Sequence, residues 1–151
     1  MHDLKLPVIL LVEDNPADIK LTERALTKSN VANRLVIAHD GQEALDYLFG
    51  QGQYTGRDLR QMPALVLLDL KLPKVDGLEV LRGIRADDRT RYLPVVILTS
   101  SLEQQDVVNS YHLGANSYIR KPVDFDQFVA AAQQLGVYWL VLNELPLCPE
   151  G

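Results

Sequence analysis

Five short apolar runs punctuate the chain, at positions 8–12, 35–38, 64–68, 94–98 and 117–119. The first, third and fourth are continuously apolar and rich in Val, Ile and Leu. Strands covered on both faces have that pattern, as in a parallel sheet sandwiched by helices. The fifth run is shorter and more polar, which places it near a sheet edge.

Helix-like segments lie between the runs, each with a start signal. Asn15 before Pro16 reads as an N-cap with Pro at the first helical position, followed by Ile19, Leu21, Ala25 and Leu26 at helical spacing. Asp40 and Glu43 form a capping-box pattern ahead of Ala44, Leu45 and Leu48. Leu78, Leu81 and Ile84 follow the turn pair Asp76-Gly77. Ser101 with Gln104 opens a fourth helix that Gly114 can close, and Asp124 opens a fifth. Strand and helix therefore alternate five times, which predicts an α/β domain with right-handed crossovers and helices on both sheet faces. The polar stretch 50–63 is long for a connection and reads as a surface excursion after the second helix.

Composition narrows the function. The chain has 151 residues, 47% of them hydrophobic and 23% charged, which fits one globular domain over 1–151. One Cys, Cys148, excludes a disulfide scaffold or a Cys-rich metal centre, and His2, His39 and His112 are too scattered to form one. A net charge of −5 argues against a nucleic-acid partner. No apolar run spans a bilayer and no signal-peptide layout is present, so a cytoplasmic protein without a membrane partner is expected.

The chemistry-bearing residues fall where strands end. Glu13 and Asp14 follow the first run, Asp69 the third, Thr99 and Ser100 the fourth, and Arg120, Lys121 and Pro122 the fifth. Ligands of open α/β sheets bind outside those carboxyl ends. A single acid after a strand is ordinarily a cap or loop residue, but four such groups on four strands define a pocket. If the first and third strands are neighbours, Glu13, Asp14 and Asp69 crowd together and need a cation. Oxygen ligands alone select a hard ion, with Mg²⁺ the natural choice. Lys121 and the Thr99 hydroxyl can meet a phosphoryl group, leaving the Asp69 carboxylate as its acceptor.

On these residues the sequence resembles the receiver domain of two-component response regulators. The stretches LLVEDNPAD (10–18), LLDLKLPKVDGLEV (67–80), VVILTSS (95–101) and YIRKP (118–122) carry the resemblance, which covers about 7–135. It implies a flavodoxin-like, doubly wound, five-stranded parallel sheet of order 2-1-3-4-5 with five helices. It also implies roles for matching positions. Asp69 would be the phosphoacceptor. Glu13 (through a water), Asp14, Asp69 and the Lys71 backbone carbonyl would hold Mg²⁺, with Mn²⁺ or Ca²⁺ able to substitute. Thr99, Ser100 and Lys121 would adjoin the phosphoryl group, with Thr99 and Tyr118 as a switch pair. Lys71 and Ser101 stand where family members tune dephosphorylation. The Lys121-Pro122 peptide bond would be cis. The phosphodonor would be the His of a histidine kinase.

The NPAD helix start, the segment QGQYTGRD and the long tail resemble, more narrowly, the stand-alone regulators that pair with bacterial and cyanobacterial phytochrome kinases. The last helix pattern continues from Asp124 to Leu145, roughly twenty residues or about 30 Å of helix, so about 136–151 forms an extension and tail. Phe125, Phe128, Val129, Ala132, Leu135 and Trp139 share the stripe expected to meet the core. Val137, Tyr138, Val141 and Leu145 lie near the opposite face, where the tail either folds back over its own domain or, the favoured reading, forms a homodimer interface on the fifth helix and its extension. Two other functions compete. A Mg²⁺-dependent phosphatase with an Asp nucleophile would need a second Asp two residues on, where Lys71 stands. A docking module that no longer takes phosphate would be expected to have lost part of the pocket.

Overall fold

The computed structural model describes residues 6–30, 33–100, 104–121 and 124–136. Five strands, β1 (Val8–Val12), β2 (Arg34–Ala38), β3 (Leu65–Leu68), β4 (Val95–Thr99) and β5 (Ser117–Arg120), form a parallel sheet of order β2-β1-β3-β4-β5. Five helices, α1 (Pro16–Lys28), α2 (Gly41–Phe49), α3 (Gly77–Ala86), α4 (Gln104–His112) and α5 (Phe125–Gly136), alternate with them. The limits differ slightly from the apolar runs. β4 starts one residue late because Pro94 has no N–H and contributes only its carbonyl, to Val66 N at 2.9 Å. β5 runs one residue further, to Arg120.

Strand side chains alternate between two faces. Leu10, Val12, Val66, Leu68, Val95 and Ile97 pack with Ala44, Tyr47 and Leu48 of α2 and Val80, Leu81 and Ile84 of α3. Ile9, Leu11, Leu65, Leu67 and Val96 meet Leu26 of α1 and Ala132 of α5 on the other face, and Leu98 meets Ala25, Phe128 and Val129. This two-sided burial explains why β1, β3 and β4 lack alternation. β2 and β5 lie at the edges and are only partly buried.

Asn15, Asp40 and Asp124 cap the helices they were expected to open, and Asp76, read from the sequence only as part of a turn pair, caps α3. Asn15 Oδ1 accepts from Ala17 N and Asp18 N, Asp40 Oδ1 from Glu43 N, Asp76 Oδ1 from Glu79 N, and Asp124 Oδ1 from Gln127 N. The capping box is offset: Glu43 Oε1 accepts the N–H of His39 at 2.9 Å, one residue before the cap. Ser101 lies outside the described residues. Gly114, at φ 97°, takes the left-handed conformation just after α4.

The stretch 50–63 folds back on α2 through a short 3-10 helix, Gly52–Tyr54. Tyr54 stands edge-on to Tyr47 with ring centroids 5.1 Å apart, and its hydroxyl donates to Glu43 Oε2. Arg57 stacks 4.0 Å over the Tyr47 ring and donates to the carbonyls of Tyr47, Leu48 and Gln61. Two of those carbonyls belong to the last turn of α2, which has no intrahelical donor left for them.

Candidate phosphorylation and metal site

Register brings the strand ends to one edge: Val12 pairs with Ala38 and Leu68, Leu68 with Ile97, and Thr99 with Arg120. The ladder continues past β1 and β3, with Glu13 N donating to Ala38 O and Asp69 N to Val12 O. These bonds put Glu13 and Asp69 side by side. Both are buried, whereas Asp14 is exposed. Lys121 follows β5, and its N–H donates to the Thr99 carbonyl at 2.8 Å.

The Lys121 ammonium reaches three carboxylates: Glu13 Oε1 at 2.6 Å, Asp18 Oδ2 at 2.8 Å and Asp69 Oδ2 at 3.3 Å. Glu13 Oε2 accepts from Asn15 N, and Asp69 Oδ1 from Lys71 N. Burial works against the lysine's charge, but the bonds to Asp18 and Glu13 and the charge of Asp69 outweigh it and raise its pKa. Burial pushes the Glu13 carboxyl up from 4.5 to about 7; the Lys121 hydrogen bond opposes this and the Asp69 charge adds to it. Glu13, Asp14 and Asp69 each offer an oxygen within 4.8 Å of the others. An all-oxygen donor set this crowded, with one lysine to offset it, suits a hard divalent cation.

The model of the response regulator receiver domain matches residues 9–133. The chain belongs to this family. It is 40% identical to response regulator Rcp1 of Synechocystis sp., over 92% of this chain and 92% of that protein. The Mn²⁺-bound structure of Rcp1 superposes with a TM-score of 0.80 at 39% identity, covering 93% of this chain and 99% of that one. The bacteriophytochrome response regulator AtBRR is 58% identical, with a TM-score of 0.75 and coverage of 93% and 99%. The phosphorylated cyanobacterial phytochrome response regulator RcpA is 40% identical, with a TM-score of 0.82 and coverage of 94% and 99%. The chain is thus a receiver-domain response regulator related to phytochrome response regulators, and receiver domains partner with histidine kinases. Its acidic trio is consistent with the divalent-cation site of receiver domains.

The other positions singled out in the sequence lie on β4, on β5 and in the loop after β3. Thr99 is fully buried at the end of β4, and Ser100 beside it is exposed. Tyr118 pairs with Ile97, its ring packs against the core on the α2–α3 face, and its hydroxyl oxygen is buried. Lys71 Nζ lies 3.9 Å from Asp106 Oδ2 of α4, so the loop after β3 and the start of α4 meet across the groove beside Asp14. Pro122, Val137, Tyr138, Val141 and Leu145 lie outside the described residues. No described helix is long and apolar enough to cross a membrane.

Sequence reasoning missed Asp18. It stands inside the LLVEDNPAD stretch, in the first turn of a helix starting at the pocket, and an acid there is ordinarily taken for a capping residue. It also missed Arg85, which donates to the carbonyls of Arg91, Leu93 and Gly114 and to Asn116 Oδ1. That side chain ties α3 to the turns before β4 and β5.

Proposed function

We propose that the chain is a single receiver domain that accepts a phosphoryl group on Asp69 from the phosphohistidine of a histidine kinase, in a Mg²⁺-dependent reaction in the cytoplasm. One observation carries this: Lys121 Nζ stands at Asp69 Oδ2 within the pocket that also holds Glu13 and Asp14. An Asp69 carboxylate oxygen attacks phosphorus, a P–O bond forms, the P–N bond breaks, and its electron pair returns to the kinase imidazole. Glu13, Asp14, Asp69 and the Lys71 carbonyl would hold the cation, which offsets charge on the phosphoryl oxygens. Lys121 donates to one of those oxygens and Thr99 to another, while Ser100 keeps the approach open. The domain thereby assists its own phosphorylation and hydrolysis without turning over an external substrate.

The signal leaves through Thr99 and Tyr118, which share the β4–β5 edge. The homology to phytochrome response regulators supports a phytochrome-type kinase as the donor. The second apolar stripe of the tail, Val137, Tyr138, Val141 and Leu145, supports a homodimer through helix five and its extension.

Intact-protein mass after incubation with acetyl phosphate tests the central claim. A gain of one phosphoryl that needs Mg²⁺ and is absent in Asp69→Asn is expected. No gain from either acetyl phosphate or a phosphorylated phytochrome kinase would leave a docking module. Sedimentation of Val141→Asp tests the dimer, with a shift to monomer expected.

A further inference from the structure

Of the three carboxylates on Lys121, two belong to the acidic trio. Asp18 does not. It is the third helical residue after the N-cap Asn15. A Glu or Gln at that position can reach back to the N-cap N–H. Here Glu13 Oε2 already takes the Asn15 N–H, at 3.2 Å. The Asp18 carboxylate turns into the pocket instead and meets Lys121 Nζ at 2.8 Å, a shorter contact than the 3.3 Å to Asp69. Its backbone is pinned on both sides: Asp18 N donates to Asn15 Oδ1, and Asp18 O accepts from Thr22 Oγ1.

We propose that Asp18 is a positioning residue that holds the Lys121 ammonium beside Asp69 independently of the carboxylates a divalent cation draws on. This rests on the reading of Asp69 as phosphoacceptor. An ammonium has three N–H donors, and all three point at carboxylates here. Glu13 and Asp69 must share their charge with a cation when one is present, which loosens their hold on the lysine. A lysine stem is flexible, so an ammonium without a fixed partner swings away from the reacting oxygen. Asp18 stands outside the trio on a capped helix start and keeps one N–H engaged. The donors released by Glu13 and Asp69 then face the phosphoryl oxygens.

Two measurements on the full chain test this. The first is calorimetric binding of beryllofluoride, a phosphoryl analogue, with Mg²⁺ present. Asp18→Asn, which keeps an acceptor oxygen but removes its charge, is expected to weaken it by about tenfold, and Asp18→Glu to recover part of the loss. The Asp18→Asn penalty should vanish in a Lys121→Ala background, because the effect runs through the lysine. Unchanged or tighter binding in Asp18→Asn, or an equal penalty without Lys121, would overturn the proposal.

The second measurement needs no phosphoryl chemistry. Reductive methylation of Lys121, read by peptide mass, should be slow in the wild type with or without Mg²⁺ and fast in Asp18→Asn when Mg²⁺ is present. Protection retained in that variant under Mg²⁺ overturns the proposal whatever beryllofluoride does. If the wild type protects Lys121 yet binds no beryllofluoride and gains no phosphoryl group, the phosphoacceptor reading has failed and the positioning of Lys121 by Asp18 has not.

Discussion

Glu13 Oε1 and Lys121 Nζ stand 2.6 Å apart although 108 residues separate them in the chain. The pair joins the carboxyl end of β1 to that of β5, across β3 and β4. Its electrostatics carry the first prediction. Burial raises the Glu13 carboxyl to about 7, so between pH 4.5 and about 7 the folded chain keeps a proton that the unfolded chain has released. The stability this contributes is fully present below pH 4.5 and is lost as pH rises through about 7. A cation needs the ionised carboxylate. Apparent Mg²⁺ affinity should therefore rise as pH passes through about 7 and level off above it. Calorimetric titrations at several pH values check this, and Glu13→Gln should bind Mg²⁺ more weakly with a flatter pH profile.

Removal of Lys121 should expose the repulsion it offsets. Its side chain is 11% exposed and bridges Glu13, Asp18 and Asp69. Breaking a buried charge cluster by deleting one partner costs about 3 kcal/mol. Lys121→Ala should lower stability by about that amount in chelator, with Mg²⁺ restoring much of it. Urea unfolding with and without Mg²⁺ reads both effects, and a variant as stable as the wild type in chelator would contradict the account.

The loop after Asp69 depends on a close backbone approach. Gly77 N donates to Leu70 O, and a Cβ on Gly77 would overlap the Asp69 carbonyl oxygen and lie 2.6 Å from Leu70 Cα. Backbone cannot move aside as a side-chain tip can. Gly77→Ala should cost about 2 kcal/mol or more through overpacking and should slow phosphorylation by displacing Asp69. Thermal unfolding and the acetyl phosphate reaction measure the two consequences.

Arg57 is one of the side chains that hold the excursion after α2. Arg57 donates to Tyr47 O at 2.6 Å and to Gln61 O at 2.9 Å while stacking on Tyr47. Arg57→Ala should cost about 1–2 kcal/mol and raise amide exchange across 51–62, with phosphorylation kinetics little changed. Exchange rates matching the wild type would show that the other contacts, Tyr54 and Gln53 on Glu43 among them, hold the segment without Arg57.

Much of this architecture is legible in the sequence because its causes are local. The continuous apolar runs at 8–12 and 94–98 reflect burial on two faces, and β1 and β4 are buried throughout. Asn15, Asp40 and Asp124 cap their helices because a short polar side chain satisfies N–H groups two or three residues on. The acids, hydroxyls and lysine after the runs had to share a sheet edge once all five strands ran parallel.

What local pattern cannot settle is which of these groups touch. That is decided by strand order and register, which place β3 beside β1 and carry Lys121 onto carboxylates 52, 103 and 108 residues away. Asp18 follows the same logic: an acid in the first turn of a helix reads as a capping residue, and only the fold shows that Glu13 takes the Asn15 N–H while Asp18 meets the lysine. Arg57 and Arg85 are ordinary surface arginines in the sequence and become clamps because distant turns leave carbonyls within their reach. The sequence by itself determined the strands, the helix starts and the inventory of the pocket, because each depends on neighbours along the chain. The tertiary structure alone decided the partners inside the pocket, because those contacts depend on distances that chain topology sets.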